Sequence, residues 1–181
     1  MKKRIIGFFL AALITGLANA QHWDVKSDAV SIEFKIKNFG VWVKGSFSGL
    51  NAHIHFDKNK PETSSISAAI DASSVNTGIE ARDNHLRKEE FFDVKNHPNI
   101  SFQSAFIKKK DDRFEMSGTL TMKGVAKTIV IPFVFIEDGG KGVFRASFDI
   151  DRTEFGIGAK GGTMGKNVKM EVSVAVTSGH H

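Results

Sequence analysis

Ser31 to Lys37 reads S-I-E-F-K-I-K, and this heptapeptide decides the fold. Ile32, Phe34 and Ile36 fall on one side of an extended chain and Glu33, Lys35 and Lys37 on the other, because successive side chains of a strand point to opposite faces. The same two-residue period recurs toward the C-terminus. Ala52, Ile54 and Phe56 alternate with His53, His55 and Asp57, and Ile66, Ala68 and Ile70 follow. Ile100, Phe102 and Phe106 share parity, as do Phe114, Met116, Leu120 and Met122. Phe144, Ala146, Phe148 and Ile150 oppose Arg145, Ser147, Asp149 and Asp151, and Val168, Met170, Val172, Val174 and Val176 oppose Lys169, Glu171 and Ser173. One apolar face and one wet face, repeated this often, describe an all-β protein built on an antiparallel sheet, closed or sandwiched.

Two segments depart from the period. Thr128 to Ile136 is apolar on both faces, with Ile129, Ile131, Phe133 and Phe135 on one and Val130, Val134 and Ile136 on the other, so a helix or a partner subunit is expected to cover the outer face. Ile79 to Phe92 has no alternation, is rich in helix formers and places Ile79, Leu86 and Phe91 at roughly helical spacing; it is the expected short helix, stopped by His97-Pro98. Turns are expected at Asp57 to Pro61, Asp111-Asp112 and Asp138-Gly139-Gly140, and a glycine-rich loop runs from Gly156 to Gly165 before the last strand.

The first twenty residues have the layout of a signal peptide. Lys2, Lys3 and Arg4 precede an apolar stretch from Ile5 to Leu17, and Ala18-Asn19-Ala20 offers small residues at a cleavage site. Residues 1–20 are therefore expected to be removed, leaving a single domain over 21–181 in the periplasm. No other segment nears the ~20 apolar residues of a membrane span, so no transmembrane segment is expected in the mature chain. Cleavage takes the formal net charge from +5 to 5 − 3 = +2, and no basic patch carries interleaved aromatics, which sets nucleic acid aside. The absence of cysteine excludes disulfides, thiol chemistry and a lipidated cysteine. Sixteen Phe and two Trp without any Tyr point to purely apolar aromatic contacts, in a core or around a greasy ligand.

Several stretches together carry a family resemblance: Trp23-Asp24, Gly45-x-Phe47, Asp71-Ala-Ser-Ser-Val-Asn-Thr-Gly78 running into Arg82-Asp-Asn-His-Leu-Arg87 and Glu90-Phe-Phe-Asp93, then His97-Pro98-x-Ile100-x-Phe102-x-Ser104, Gly118 to Val125, and Ile150-Asp-Arg-Thr-Glu-Phe-Gly-Ile-Gly158. In this order the sequence is similar to the YceI-like family of lipid- and polyisoprenoid-binding proteins along essentially the whole chain after residue 20. The resemblance implies an extended, lipocalin-like, eight-stranded antiparallel β-barrel with one short helical segment. It also implies a periplasmic location, a hydrophobic tunnel for a prenyl or fatty-acyl chain, frequent homodimers, and no established catalysis.

Phe34, Phe102, Phe106, Met116, Met122, Phe133, Phe135, Phe144 and Phe148 are the candidate tunnel residues. An eight-stranded barrel is just wide enough to be filled by side chains or to hold one small ligand, so the same residues could simply be core. In a channel each methylene gains about 0.8 kcal/mol, or roughly 8 kcal/mol gross for ten, before the chain is ordered. Arg82, Asp83 and His85 admit two readings: they meet a ligand head group at the barrel mouth, or they tie the helical segment to Asp151-Arg152 by ion pairs. His53 and His55 are a weak zinc pair, with no third ligand evident, and no metal site is assigned. His180 and His181 receive no role. No nucleophile motif or phosphate loop occurs. The expectation is a non-catalytic binding protein for an amphiphilic lipid, without other cofactor, against two alternatives: a metal-dependent hydrolase using His53 and His55, or an interaction protein with a filled barrel.

Overall fold

In a computed structural model, which describes residues 20–179, nine strand segments form one antiparallel sheet. They are β1 (Gln21–Asn38), β2 (Val41–Phe47), β3 (Asn51–Phe56), β4 (Ser65–Asp71), β5 (Asn99–Lys110), β6 (Arg113–Met122), β7 (Val125–Asp138), β8 (Lys141–Asp151) and β9 (Met164–Ser178). β1 pairs with β9 and closes the sheet into a barrel. β2 and β3 follow one another along the same edge of β1, β2 against Ile32–Asn38 and β3 against Gln21–Trp23, so the ring has eight members and the second is split at residues 48–50. The expected signal peptide lies outside the described residues except for Ala20, and so do His180 and His181.

The split has a consequence. Only β3 goes on to pair with β4, so β2 leaves a seam on its far edge. The chain between β4 and β5 fills it: Ser46 and Asn76 exchange both backbone hydrogen bonds, at 2.8 and 3.0 Å. This connection carries the only α-helix among the described residues, α1 (Glu80–Leu86). The sequence predicts a helix over 79–92, but the chain leaves it after Leu86 and folds back, with Phe92 N donating to Leu86 O and Asp93 N to Lys88 O. Lys88, Glu89 and Glu90 are helix formers, yet Phe91 and Phe92 must turn into the barrel end, where Phe92 meets Phe47 edge-on at 5.5 Å. Tertiary packing overrides propensity here.

The interior is the apolar face that the alternation assigns, with Ile32, Ile54, Phe102, Leu120, Phe144 and Val174 all buried. Phe106 is the exception. A β-bulge between Ser104 and Phe106 shifts the β5 register against β6, so Phe106 faces outward at 50% exposure and Ile107 takes its inward place at 0%. It is not a tunnel residue. The bulge sits opposite Gly118, where the backbones crowd: a Cβ there would run into the Gln103 carbonyl oxygen and lie 2.8 Å from Ser104 Cα. Val130, Val134 and Ile136 remain exposed, so no helix among the described residues covers the outer face of β7.

Gly118→Ala is therefore expected to destabilise the barrel by about 1–3 kcal/mol, the range for overpacking, because besides the Phe102 ring the obstructing atoms are backbone and cannot swing aside. Denaturant unfolding reads this directly, and an unchanged midpoint would show that the β5 bulge does not depend on a missing side chain.

Candidate functional site

One end of the barrel is solid. Phe56 is 1% exposed and contacts Phe114, Phe133, Phe135 and Phe144 with centroid separations of 5.0–5.6 Å. Trp23 closes the group, its ring 5.0 Å from Phe135 and its Nε1 donating to Phe56 O at 3.1 Å. These edge-to-face contacts form a plug where β1 and β9 reach the chain ends.

Above the plug lies a cavity of about 280 Å³. Seven of the nine expected tunnel residues line it: Phe34, Phe102, Met116, Met122, Phe133, Phe144 and Phe148. Phe106 is outside the barrel, and Phe135 belongs to the plug rather than to the cavity wall. The space is therefore a blind pocket rather than a tunnel. Its polar lining is confined to Asn38, Thr77, Arg82, Ser101 and Arg152, all on elements at the end opposite the plug. Sequence reasoning missed Asn38, Thr77 and Ser101; of these only Thr77 is a specified position of a stretch that carries the resemblance, and nothing there gave it a role.

Three elements frame that open end and are tied to one another. The β1–β2 hairpin is joined to the loop before β9 by Phe39 N donating to Thr163 O at 3.0 Å. The same loop reaches the α1 segment through Gly158 N to Glu90 O at 2.8 Å, and β2 reaches that segment through Ser46 and Asn76.

Arg152 organises the loop. It is 4% exposed, and its guanidinium donates to the carbonyls of Gly165 (2.9 Å), Ile157 (2.6 Å), Ala159 (3.0 Å) and Met164 (3.0 Å). Burial pulls its pKa below the ordinary value, opposed by nearby Asp151. Four carbonyl dipoles replace the water it has lost. Asp151 caps the following turn, accepting from Thr153 N at 2.9 Å and Thr153 Oγ1 at 2.6 Å. That hydroxyl bond is the main reason its carboxyl lies below the ordinary carboxylate range, with Lys166 at 3.5 Å adding to it.

The expected ion pairs between Arg82 or Asp83 and Asp151-Arg152 do not form. Asp83, 6% exposed, instead accepts from the backbone N and hydroxyl of Thr77 at 2.9 and 2.5 Å. Arg82 donates Nε to Thr77 Oγ1 at 2.7 Å and Nη2 to Thr77 O at 2.9 Å. Of its five N–H groups, three make no hydrogen bond among the described residues, and the side chain borders the cavity. His85 is exposed and does not itself line the cavity, packing from outside on Phe91, which does. Arg87, to which the sequence alone assigns no role, ties α1 down through Ser73 O (2.7 Å) and Val75 O (3.0 Å).

His53 and His55 point outward. The ring of His55 lies 4.9 Å from that of His22, but no group of three or more His, Cys, Asp or Glu residues placed to hold a metal occurs among the described residues.

A sequence profile of the YceI-like domain matches residues 23–176. The chain belongs to the YceI-like family. Protein YceI of Salmonella arizonae is 31% identical to it over 185 aligned positions, covering 96% of this chain and 97% of the relative. Among solved structures, the YceI-like barrel described here matches Burkholderia cenocepacia BcnA with a TM-score of 0.82 at 24% identity, over 85% of this chain and 100% of that one. A polyisoprenoid-binding domain from Saccharophagus degradans matches with a TM-score of 0.65 at 15% identity, over 89% and 99% of the two chains. The shared architecture at such low identity shows a common fold.

Two outcomes test this account of the rim. Arg152→Leu orphans four carbonyls and is expected to destabilise the protein by about 3 kcal/mol and to open the 156–165 loop to protease; unaltered cleavage kinetics would remove Arg152 from this role. Asp151 has a lowered pKa when folded, so its contribution is present above the ordinary carboxylate range and disappears as pH falls through the lowered value. Asp151→Asn should therefore flatten the acid limb of a thermal-stability profile, and an identical limb would contradict the cap.

Proposed function

We propose that the protein is a non-catalytic periplasmic binding protein for a single-chain amphiphilic lipid, of polyisoprenoid or fatty-acyl type, which it carries, stores or sequesters. The observation that supports this most is the polarity gradient of the blind pocket: apolar walls and an aromatic floor, with two arginines at the open end. An apolar chain inserted tail-first would exchange water for Phe, Met, Ile and Val side chains at about 0.8 kcal/mol per methylene. Its head group would stop beside Arg82, whose free N–H groups suit a phosphate or carboxylate. The volume lies at the lower edge of the ~300–1,000 Å³ typical of small-molecule sites, which favours a slender chain over a fused-ring ligand. The fold neighbour from S. degradans is described as polyisoprenoid-binding, which agrees with the same cargo class.

Under this reading residues 1–20 direct export and are removed, and the bound lipid takes the place of a cofactor. A homodimer is part of the reading too, because Phe106 and Val130 both face Ser117 across the sheet and add to the exposed apolar stripe that Val134 and Ile136 continue on β7. Sedimentation velocity with Val130→Lys tests it: a monomer whether or not the stripe carries charge would exclude the dimer.

Cargo binding is tested with two variants and two probes. Ala68→Phe, which fills the pocket between Ile66 and Ile70, should abolish uptake of both a prenyl phosphate and a prenyl alcohol in native mass spectrometry while the barrel stays folded. Arg82→Gln should lower affinity for the phosphate about tenfold and leave the alcohol unchanged, in line with about 1.5 kcal/mol for a hydrogen bond to a charged group. Equal loss for both probes would make Arg82 structural only, and no uptake by the unmodified protein would end the lipid reading.

A further inference from the structure

The tip of the β1–β2 hairpin is built against the grain of its own sequence. Phe39 and Gly40 form its turn with φ of +50° and +79°, a conformation that favours Asn-Gly and disfavours a bulky side chain. Of the four non-glycine residues with positive φ among the described residues, Phe39 alone is apolar. It is also 77% exposed, with Val41 at 67% and Trp42 at 44% beside it. The barrel gains nothing from an aromatic ring there, since Phe39 joins neither buried cluster.

The two segments that build the tip carry one sign of charge, whereas the acids of this end, Glu80, Glu89 and Glu90, belong to the α1 segment. From Phe34 to Phe56 the sequence has Lys35, Lys37 and Lys44 and no Asp or Glu, and from Phe155 to Met170 it has Lys160, Lys166 and Lys169 and again no acid. Lys35, Lys166 and Lys169 are paired with acids of neighbouring strands, whereas Lys37, Lys44 and Lys160 form no ion pair among the described residues, Lys44 acting on Glu171 only at longer range. The ammonium of Lys37 sits 5.3 Å above the Trp42 ring. The two acid-free segments are joined at the tip, where Phe39 N donates to Thr163 O and Thr163 Oγ1 to Asn38 Oδ1 at 3.1 Å.

We infer that this tip is a membrane-docking element: Phe39, Val41 and Trp42 insert into the interfacial region of an anionic lipid bilayer, and the unpaired lysines meet its phosphates. Three exposed side chains are too small a surface for a stable protein partner, which needs about 800 Å² from each side. They are enough for reversible attachment to a bilayer when combined with charge. Asn38 and Val43, which flank the tip, line the cavity, so docking turns the mouth toward the bilayer. The inference concerns attachment and holds whatever the pocket carries.

Vesicle co-sedimentation tests it, using phosphatidylglycerol-containing vesicles and pure phosphatidylcholine vesicles. Phe39→Asn installs the residue the turn prefers, so thermal stability should hold or rise while partition onto the anionic vesicles falls about tenfold, as the removal of one buried phenyl group requires. Lys37→Gln with Lys160→Gln should reduce partition and its salt sensitivity while leaving stability unchanged. Unmodified protein and variants share the same N-terminal segment, so their difference reports on the tip alone. Equal partition of the unmodified protein and Phe39→Asn would overturn the inference. So would a protein that ignores anionic vesicles, or a Phe39→Asn variant that only converts dimer to monomer in sedimentation velocity.

Discussion

The contact of Phe56 with four other phenylalanines is the interaction on which the rest of the molecule depends. An eight-stranded barrel has room inside for side chains or for a small ligand, and this chain divides its length between the two. Phe56 packs edge to face on Phe114, Phe133, Phe135 and Phe144, Trp23 packs edge to face on Phe135, and together they fill one end. Because that end is solid, whatever enters must use the other, and every polar residue of the cavity wall is found there. The one plug ring that carries a donor shows what such a ring requires here: Trp23 Nε1 reaches the Phe56 carbonyl at 3.1 Å.

The faces of the strands were legible in the sequence because the period of two is a local property: Ile32, Ile54, Phe102 and Phe144 point inward where the alternation puts them. Phe106 was not legible, since its orientation depends on a bulge set by the crowding between Gly118 and residues 103–104 on the neighbouring strand. A parity argument assumes an unbroken ladder, and nothing local to residues 100–106 announces the break. The short α1 is misjudged for a similar reason: Lys88 to Glu90 prefer helix, but the burial of Phe91 and Phe92 against the barrel end decides the path. The division of the barrel into plug and pocket was equally invisible, because Phe133 and Phe135 share a face and differ only in their height along it.

Motif and site coincide only in part. Asp83 and Arg87, within the most diagnostic stretch, spend their polar groups on Thr77, Ser73 and Val75. Their work is to hold the segment that seals the seam beside β2. Arg152 does the same for the glycine-rich loop, and its four carbonyl partners explain why a buried cation needs no carboxylate in contact. Arg82 alone of these lines the cavity with most of its donors unspent, because Thr77 accepts only two of its five N–H groups.

The seam itself connects fold to access. Had β2 and β3 formed one continuous strand paired to β4 throughout, the mouth would be ringed by backbone ladders and could widen only by breaking them. Instead, this end is framed by the β1–β2 hairpin, the segment between β4 and β5 and the loop before β9, joined by the Ser46–Asn76 pair, Gly158 to Glu90 and Phe39 to Thr163. Elements with few backbone bonds to the rest open locally at lower free energy than core strands. The break in the ladder beside β2 thus lies at the same end of the barrel as the polar lining of the cavity, and side-chain bonds from Arg87 and Arg152 hold there what backbone ladders hold elsewhere.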